Sequence, residues 1–109
     1  LCMVDTGIDN QHEAFAGKDI LFHDLIGDST APREYGAVAH GTLMAGILIS
    51  GSHQIGIAQN VTFAMVAALQ DDGSGQNSGL ESDVGDAIRW CQFQFRSLGV
   101  GPVLGNGNV

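Results

Sequence analysis

An aspartate and a histidine stand where each could do acid–base chemistry. Asp5 ends the apolar run Leu1–Val4 and is followed by Thr6-Gly7. His40 opens His40-Gly41-Thr42, ahead of the apolar run Leu43–Leu48. A carboxylate bonded to one imidazole nitrogen fixes the tautomer and stabilises the imidazolium. The other nitrogen is then left to take a proton from a nucleophile. Neither residue is diagnostic alone. An Asp after a strand is commonly a turn former, and a single His before Gly is commonly structural. The pair has a catalytic meaning only if the fold brings the two side chains together.

The elements that must position them can be read from the pattern. Leu1–Val4 reads as a buried strand stopped by a glycine turn. Ligands of open α/β sheets gather at the carboxyl ends of strands, and Asp5 lies at such an end. Residues 9–36 mix acids, histidines, glycines and Pro32, and read as mostly loop. Thr42 is placed to cap a buried helix running through Leu48 despite Gly46. If that helix starts beside the first strand, Asp5 and His40 meet.

Val61–Leu69 is nearly continuously apolar, the pattern of a parallel strand covered on both faces. Asp71–Gly79 is polar and glycine-rich, hence a loop. Ser82 is the expected cap of a second helix reaching about Cys91. Val84, Ala87, Ile88 and Cys91 fall on one face of it, and Asp83 and Asp86 favour its positive end. Strand, helix, strand, helix in alternation gives an α/β fold with a parallel sheet.

The 109 residues suffice for one small domain, and no internal repeat or boundary interrupts them. Twelve acids against four bases give a formal charge of −8, which argues against a nucleic-acid partner. No apolar run approaches membrane-spanning length, which argues against a membrane partner. Cys2 and Cys91 lie in apolar stretches and are expected to be buried free thiols rather than a disulfide. No signal peptide is visible, and the chain opens on Leu1 inside an apparent strand, so further upstream sequence is expected.

Several motifs in order resemble one family. Val4-Asp5-Thr6-Gly7-Ile8-Asp9, with His12 and Phe15-Ala16-Gly17, resembles the first active-site segment of the subtilases, the subtilisin-like serine proteases. His40-Gly41-Thr42-Leu43-Met44-Ala45-Gly46-Ile47 resembles the second. Gly56-Ile57-Ala58 is similar to the glycine turn that follows. Asp72-Gly73-Ser74-Gly75-Gln76 looks like the substrate-binding strand, and Ala87-Ile88-Arg89-Trp90 like the helix after it. The order Asp, His, then Ser is the arrangement of subtilisin. The resemblance runs from the first residues to about Trp90, and residues 91–109 diverge.

This resemblance implies a three-layer α/β fold with a parallel sheet, truncated here to the N-terminal part of a catalytic domain. It implies a serine endopeptidase acting on peptides or proteins, with Asp5 as the orienting acid and His40 as the general base. Gly73, Ser74 and Gly75 would pair with an extended peptide by main-chain hydrogen bonds. Ser97, Leu98 and Gly99 resemble the opposite wall of that cleft. The family also implies export from the cell.

Two departures limit what this chain can do alone. The family's Gly-Thr-Ser-Met-Ala nucleophile segment does not occur among these residues, and no serine present has its context. The usual high-affinity calcium site is expected to be missing, because Ala14 stands where an acid belongs and Ser52–Gln54 lack ligands. Asp24, Asp28 and Glu34 read better as a solvated acidic loop than as calcium ligands, so no cofactor is implied.

Three rival readings follow from the same residues. Asp5-Thr6-Gly7 is also the tripeptide of dimeric aspartic proteases, which would require an all-β chain. Asp5, Asp9, His12, His23, Asp24 and His40 could ligate zinc or iron, though without compact ligand spacing. The third is a non-catalytic α/β module.

Overall fold

The structure is a computed structural model describing residues 1–52 and 55–97. Three short strands form a parallel sheet: β1 (Cys2–Asp5), β2 (Ile20–Asp24) and β3 (Phe63–Ala67), in the order β1-β3-β2. Asp5 and Asp24 both pair in register with Ala67, so all three strands end on one edge. Two helices flank the sheet: α1 (His40–Ile49) and α2 (Glu81–Ser97). Between β3 and α2 lies a small antiparallel hairpin, β4 (Gln70–Asp71) and β5 (Asn77–Ser78).

The apolar run before Phe63 and after it makes sense once β3 is central. All five of its residues are buried, because both faces are covered. Side chains alternate across the sheet. Met3, Ile20, Phe22, Phe63 and Met65 pack with Ile8, Phe15, Ala45, Leu48 and Ile49 on the α1 side. Cys2, Val4, Leu25, Val66 and Ala68 pack with Val84, Ala87, Trp90 and Cys91 on the α2 side. This is the α/β fold with a parallel sheet that the pattern implies, in the three-layer arrangement that the resemblance implies. It is incompatible with the all-β chain that a dimeric aspartic protease requires.

Several expectations need correction. Residues 9–36 are mostly loop, as the pattern implies, but they also hold a 3-10 turn at Glu13–Phe15 and the strand β2, which the pattern did not reveal. Strand β2 gave a weak signal because Ile20-Leu21-Phe22 is a short run flanked by charges. Helix α2 starts at Glu81, so Ser82 sits inside the first turn, and it runs on past Cys91 to Ser97. Its buried stripe is Val84, Ala87, Cys91 and Phe95, whereas Ile88 faces outward.

The cysteines are not free thiols. Cys2 on β1 and Cys91 on α2 form a disulfide across 89 residues of sequence, with Cα atoms 5.9 Å apart. The packing of α2 on the sheet brings them within bonding range, which spacing along the chain could not reveal. Closing so long a loop removes much of the unfolded chain's freedom. Replacing both cysteines by serine should therefore lower unfolding stability by about 2–5 kcal/mol. Denaturant titration of both proteins would check this, and an unchanged midpoint would refute it.

Candidate active site

Asp5 is the last residue of β1, where the carboxyl edge of the sheet opens, and its side chain is largely buried. His40 is the first residue of α1, and about half of its side chain is exposed. The His40 Nδ1 lies 2.8 Å from Asp5 Oδ1 and 3.1 Å from Oδ2. An ionised carboxylate only accepts, so this nitrogen carries the proton and donates. Asp5 Oδ1 also accepts from the Thr6 N–H at 2.7 Å, which fixes the carboxylate. The Nε2 of His40 makes no hydrogen bond with the described residues.

The start of α1 is held by β1 and the segment around Glu34, and not by a cap of its own. Ala39 occupies the N-cap position in a left-handed conformation and has no capping side chain. Two first-turn N–H groups instead reach across the chain. Gly41 N–H donates to Thr6 Oγ1 at 2.8 Å, and Thr42 N–H donates to Glu34 Oε1 at 2.9 Å. Thr42 is therefore not the cap. Its hydroxyl donates to Glu34 Oε1 at 2.6 Å and accepts from the Asp9 N–H at 2.9 Å. The other Glu34 oxygen accepts from the Gly36 N–H.

Two glycines let these elements touch. A Cβ on Gly41 would meet the Gly7 carbonyl oxygen at 2.1 Å. Gly7 itself has φ +107°, and a Cβ there would meet the Arg33 carbonyl oxygen at 2.0 Å. Backbone bonds from Ile8 N–H to Arg33 O and from Tyr35 N–H to Thr6 O lay residues 33–35 along the residues after β1.

That segment is anchored at its other end by Asp24, which closes β2. Its carboxylate accepts from the N–H groups of Ile26, Gly27 and Ser29 and from the Tyr35 hydroxyl. Asp24 and Glu34 are thus not simply a solvated acidic loop, because hydrogen-bond donors of the chain surround their oxygens. Burial raises the Asp24 pKa, but the hydrogen bonds from Tyr35 and the three N–H groups outweigh it and leave it below the usual range. The Tyr35 hydroxyl is raised, by burial and then by its bond to Asp24.

Gly73, Ser74 and Gly75 form the exposed turn of the β4–β5 hairpin. Gly73 and Gly75 have φ +91° and +88°, the conformation that favours glycine. All three N–H groups are engaged: Gly73 and Gly75 donate to Asp71 Oδ1, and Ser74 donates to Asp72 Oδ1. Gly75 shares an open cleft of about 410 Å³ with His40, Leu69, Gln76 and Asn77, whereas Gly73 and Ser74 do not line it. Asn77 also ties the cleft to the α1 side, its Oδ1 accepting from the Ala37 N–H at 3.1 Å. Ser97 is the last residue of α2, and Leu98 and Gly99 lie outside the described residues.

Of the six residues of the metal reading, Asp5 and His40 are bonded to each other, and the six do not form one ligand group. His12 Nδ1 accepts from the Ala14 N–H, and His23 stacks on Trp90 with ring centroids 4.9 Å apart. Among the described residues no group of three or more His, Cys, Asp or Glu side chains could hold a metal ion. The residues around Ser52–Gln54 are only partly described.

Comparison with known proteins gives one consistent answer. The model described as the subtilase family matches residues 1–101, continuing past Trp90. The chain is 33% identical over 96 residues to subtilisin-like protease 1 of Arthroderma gypseum, covering 88% of this chain and 18% of that protein. It is 33% identical over 107 residues to subtilisin-like protease 6 of Trichophyton schoenleinii, covering 98% and 22%. The corresponding protein of Trichophyton verrucosum is 35% identical over 107 residues, covering 98% and 24%. The chain thus spans about a fifth of the length of the curated relatives it matches.

Two outcomes test this geometry. Gly41→Ala should force α1 away from β1, lowering stability by about 3 kcal/mol or more and breaking the His40–Asp5 bond, seen as loss of the downfield imidazole N–H proton in NMR. A retained resonance would refute the tight fit. Because the folded Asp24 pKa is depressed, its stabilisation is full above the unfolded value of about 3.9 and is lost as pH falls through the folded value. Asp24→Asn should therefore destabilise the protein at pH 7, with the deficit shrinking in acid. A deficit independent of pH would rule this out.

Proposed function

The chain belongs to the subtilase family, and on that premise we propose that residues 1–109 are the N-terminal part of the catalytic domain of a serine endopeptidase. The observation that supports this most is the 2.8 Å bond from His40 to Asp5 at the carboxyl edge of a parallel sheet. Asp5 holds the Nδ1 proton and stabilises the imidazolium. His40 Nε2 is the general base that takes the nucleophile's proton and later returns it to the leaving amine. The serine nucleophile lies outside these 109 residues, since no Gly-Thr-Ser segment occurs within them. Activity accordingly belongs to the complete protein and not to this chain alone.

The substrate is an extended peptide bound along the β4–β5 turn. Gly75, which borders the cleft beside His40, is its nearest main-chain contact. The Gly75 N–H holds Asp71 across 3.3 Å, the longest of the turn's side-chain bonds, and is the donor released most cheaply to a substrate carbonyl. Ser74 and Gly73 support the turn. No cofactor takes part in the reaction, and calcium in the complete protein would use donors other than Asp24 and Glu34. Export from the cell is part of the same reading, in keeping with a disulfide that oxidising compartments favour. No described helix is long and apolar enough to cross a membrane.

In the complete protein, His40→Ala should lower kcat for a peptide substrate at least about 10⁴-fold, and Asp5→Asn by a similar order, with KM little changed. A fluorophosphonate probe should label the complete protein and leave the isolated chain unlabelled. Activity that survives His40→Ala would instead favour a non-catalytic role for this module.

A further inference from the structure

Asn60-Val61-Thr62 is the only Asn-x-Ser/Thr triplet in the sequence, and its middle residue is not proline. Such triplets arise by chance, so the surroundings decide the matter. Residues 57–60 form a turn immediately before the buried strand β3, and Asn60, Val61 and Thr62 are all exposed. The Asn60 side chain makes no hydrogen bond with the described residues. It borders an open groove of about 530 Å³ whose lining includes Lys18, Leu21, Gln59 and Val61. Lys18 Nζ donates to the Gln59 carbonyl at 2.8 Å, which steadies the groove wall without engaging Asn60.

A second, independent observation points the same way. The Cys2–Cys91 disulfide marks a chain that folds in an oxidising compartment. In a eukaryotic cell that compartment is also where asparagine glycans are attached. We propose that Asn60 is an N-glycosylation site, an inference that rests on the reading of this protein as exported. The donor is an oligosaccharide linked to a polyprenyl diphosphate. Asn60 Nδ2 bonds to the anomeric carbon, and the bond from that carbon to the diphosphate oxygen breaks. The lipid diphosphate leaves with the electron pair, and one Nδ2 proton passes to a base of the transferase, with no change of oxidation state.

The location fits a glycan that protects without obstructing. Asn60 lies at the amino end of β3, whereas Asp5 and His40 lie at the carboxyl end of the sheet. A sugar at this groove covers the partly exposed Leu21 of the outer strand β2 and the neighbouring Val61. The cleft beside His40 stays open.

The complete protein, secreted from a eukaryotic host, provides the test. Peptide N-glycosidase should increase its gel mobility and convert Asn60 to Asp, read by mass spectrometry of the peptide spanning Asn60. Thr62→Ala should abolish both changes, while Thr62→Ser, which keeps the hydroxyl, should retain them. Unmodified Asn60 in protein whose Cys2–Cys91 bond is intact overturns the glycan and leaves the export reading standing. Free thiols at Cys2 and Cys91 together with unmodified Asn60 overturn both.

Discussion

Helix α1 begins without a capping side chain of its own, and the rest of the site follows from how that need is met. The first-turn N–H groups must find acceptors. Thr6 and Glu34 supply them from the residue after Asp5 and from the strap before the helix. The helix can therefore start in only one place, with His40 against Asp5. The arrangement also demands that backbone meet backbone at Gly7 and Gly41, where a single methyl group would overlap a carbonyl oxygen. Helix start, glycine contact and carboxylate–imidazole bond are one constraint seen from three sides.

The sheet fixes the other half of the geometry. Because β1, β2 and β3 are parallel and end in register, Asp5 and Asp24 emerge at one edge with different tasks. Asp24 spends its oxygens on four donors and locks the turn that delivers Tyr35 and Glu34. Asp5 keeps its carboxylate for Thr6 and His40. Two acids at equivalent strand ends thus differ in role through the donors that surround them. On the opposite face the disulfide fastens α2 to β1, so the strand that carries Asp5 is held from both sides.

The parts legible in the sequence were those written in local pattern. The nearly continuous apolar run around Phe63–Ala67 suits a strand covered twice, and the run after His40 is long enough for a buried helix. Asp5 and His40 were identifiable because each sits in a motif at a recognisable element end. Strand β2 was hidden because its three apolar residues, Ile20-Leu21-Phe22, are too few between charged neighbours to stand out. Glu34 was missed because nothing in Arg33-Glu34-Tyr35 distinguishes a carboxylate that caps a distant helix from one in water. The length of α2 was underestimated because Phe95, which is buried, stands between the polar neighbours Gln94 and Arg96.

The sequence alone determined the α/β class, the elements β1, α1, β3 and α2, and the aspartate and histidine at the ends of two of them, because these depend on contacts between neighbours along the chain. Only the tertiary structure decided that Cys2 and Cys91 are bonded, that Thr6 and Glu34 cap α1, and that Gly73, Ser74 and Gly75 already hold Asp71 and Asp72. Those pairings, apart from the local turn at Asp71–Gly75 and the eight-residue step from Glu34 to Thr42, join residues far apart in sequence. Their partners are chosen by which surfaces the sheet and helices bring face to face, and no periodicity records that choice.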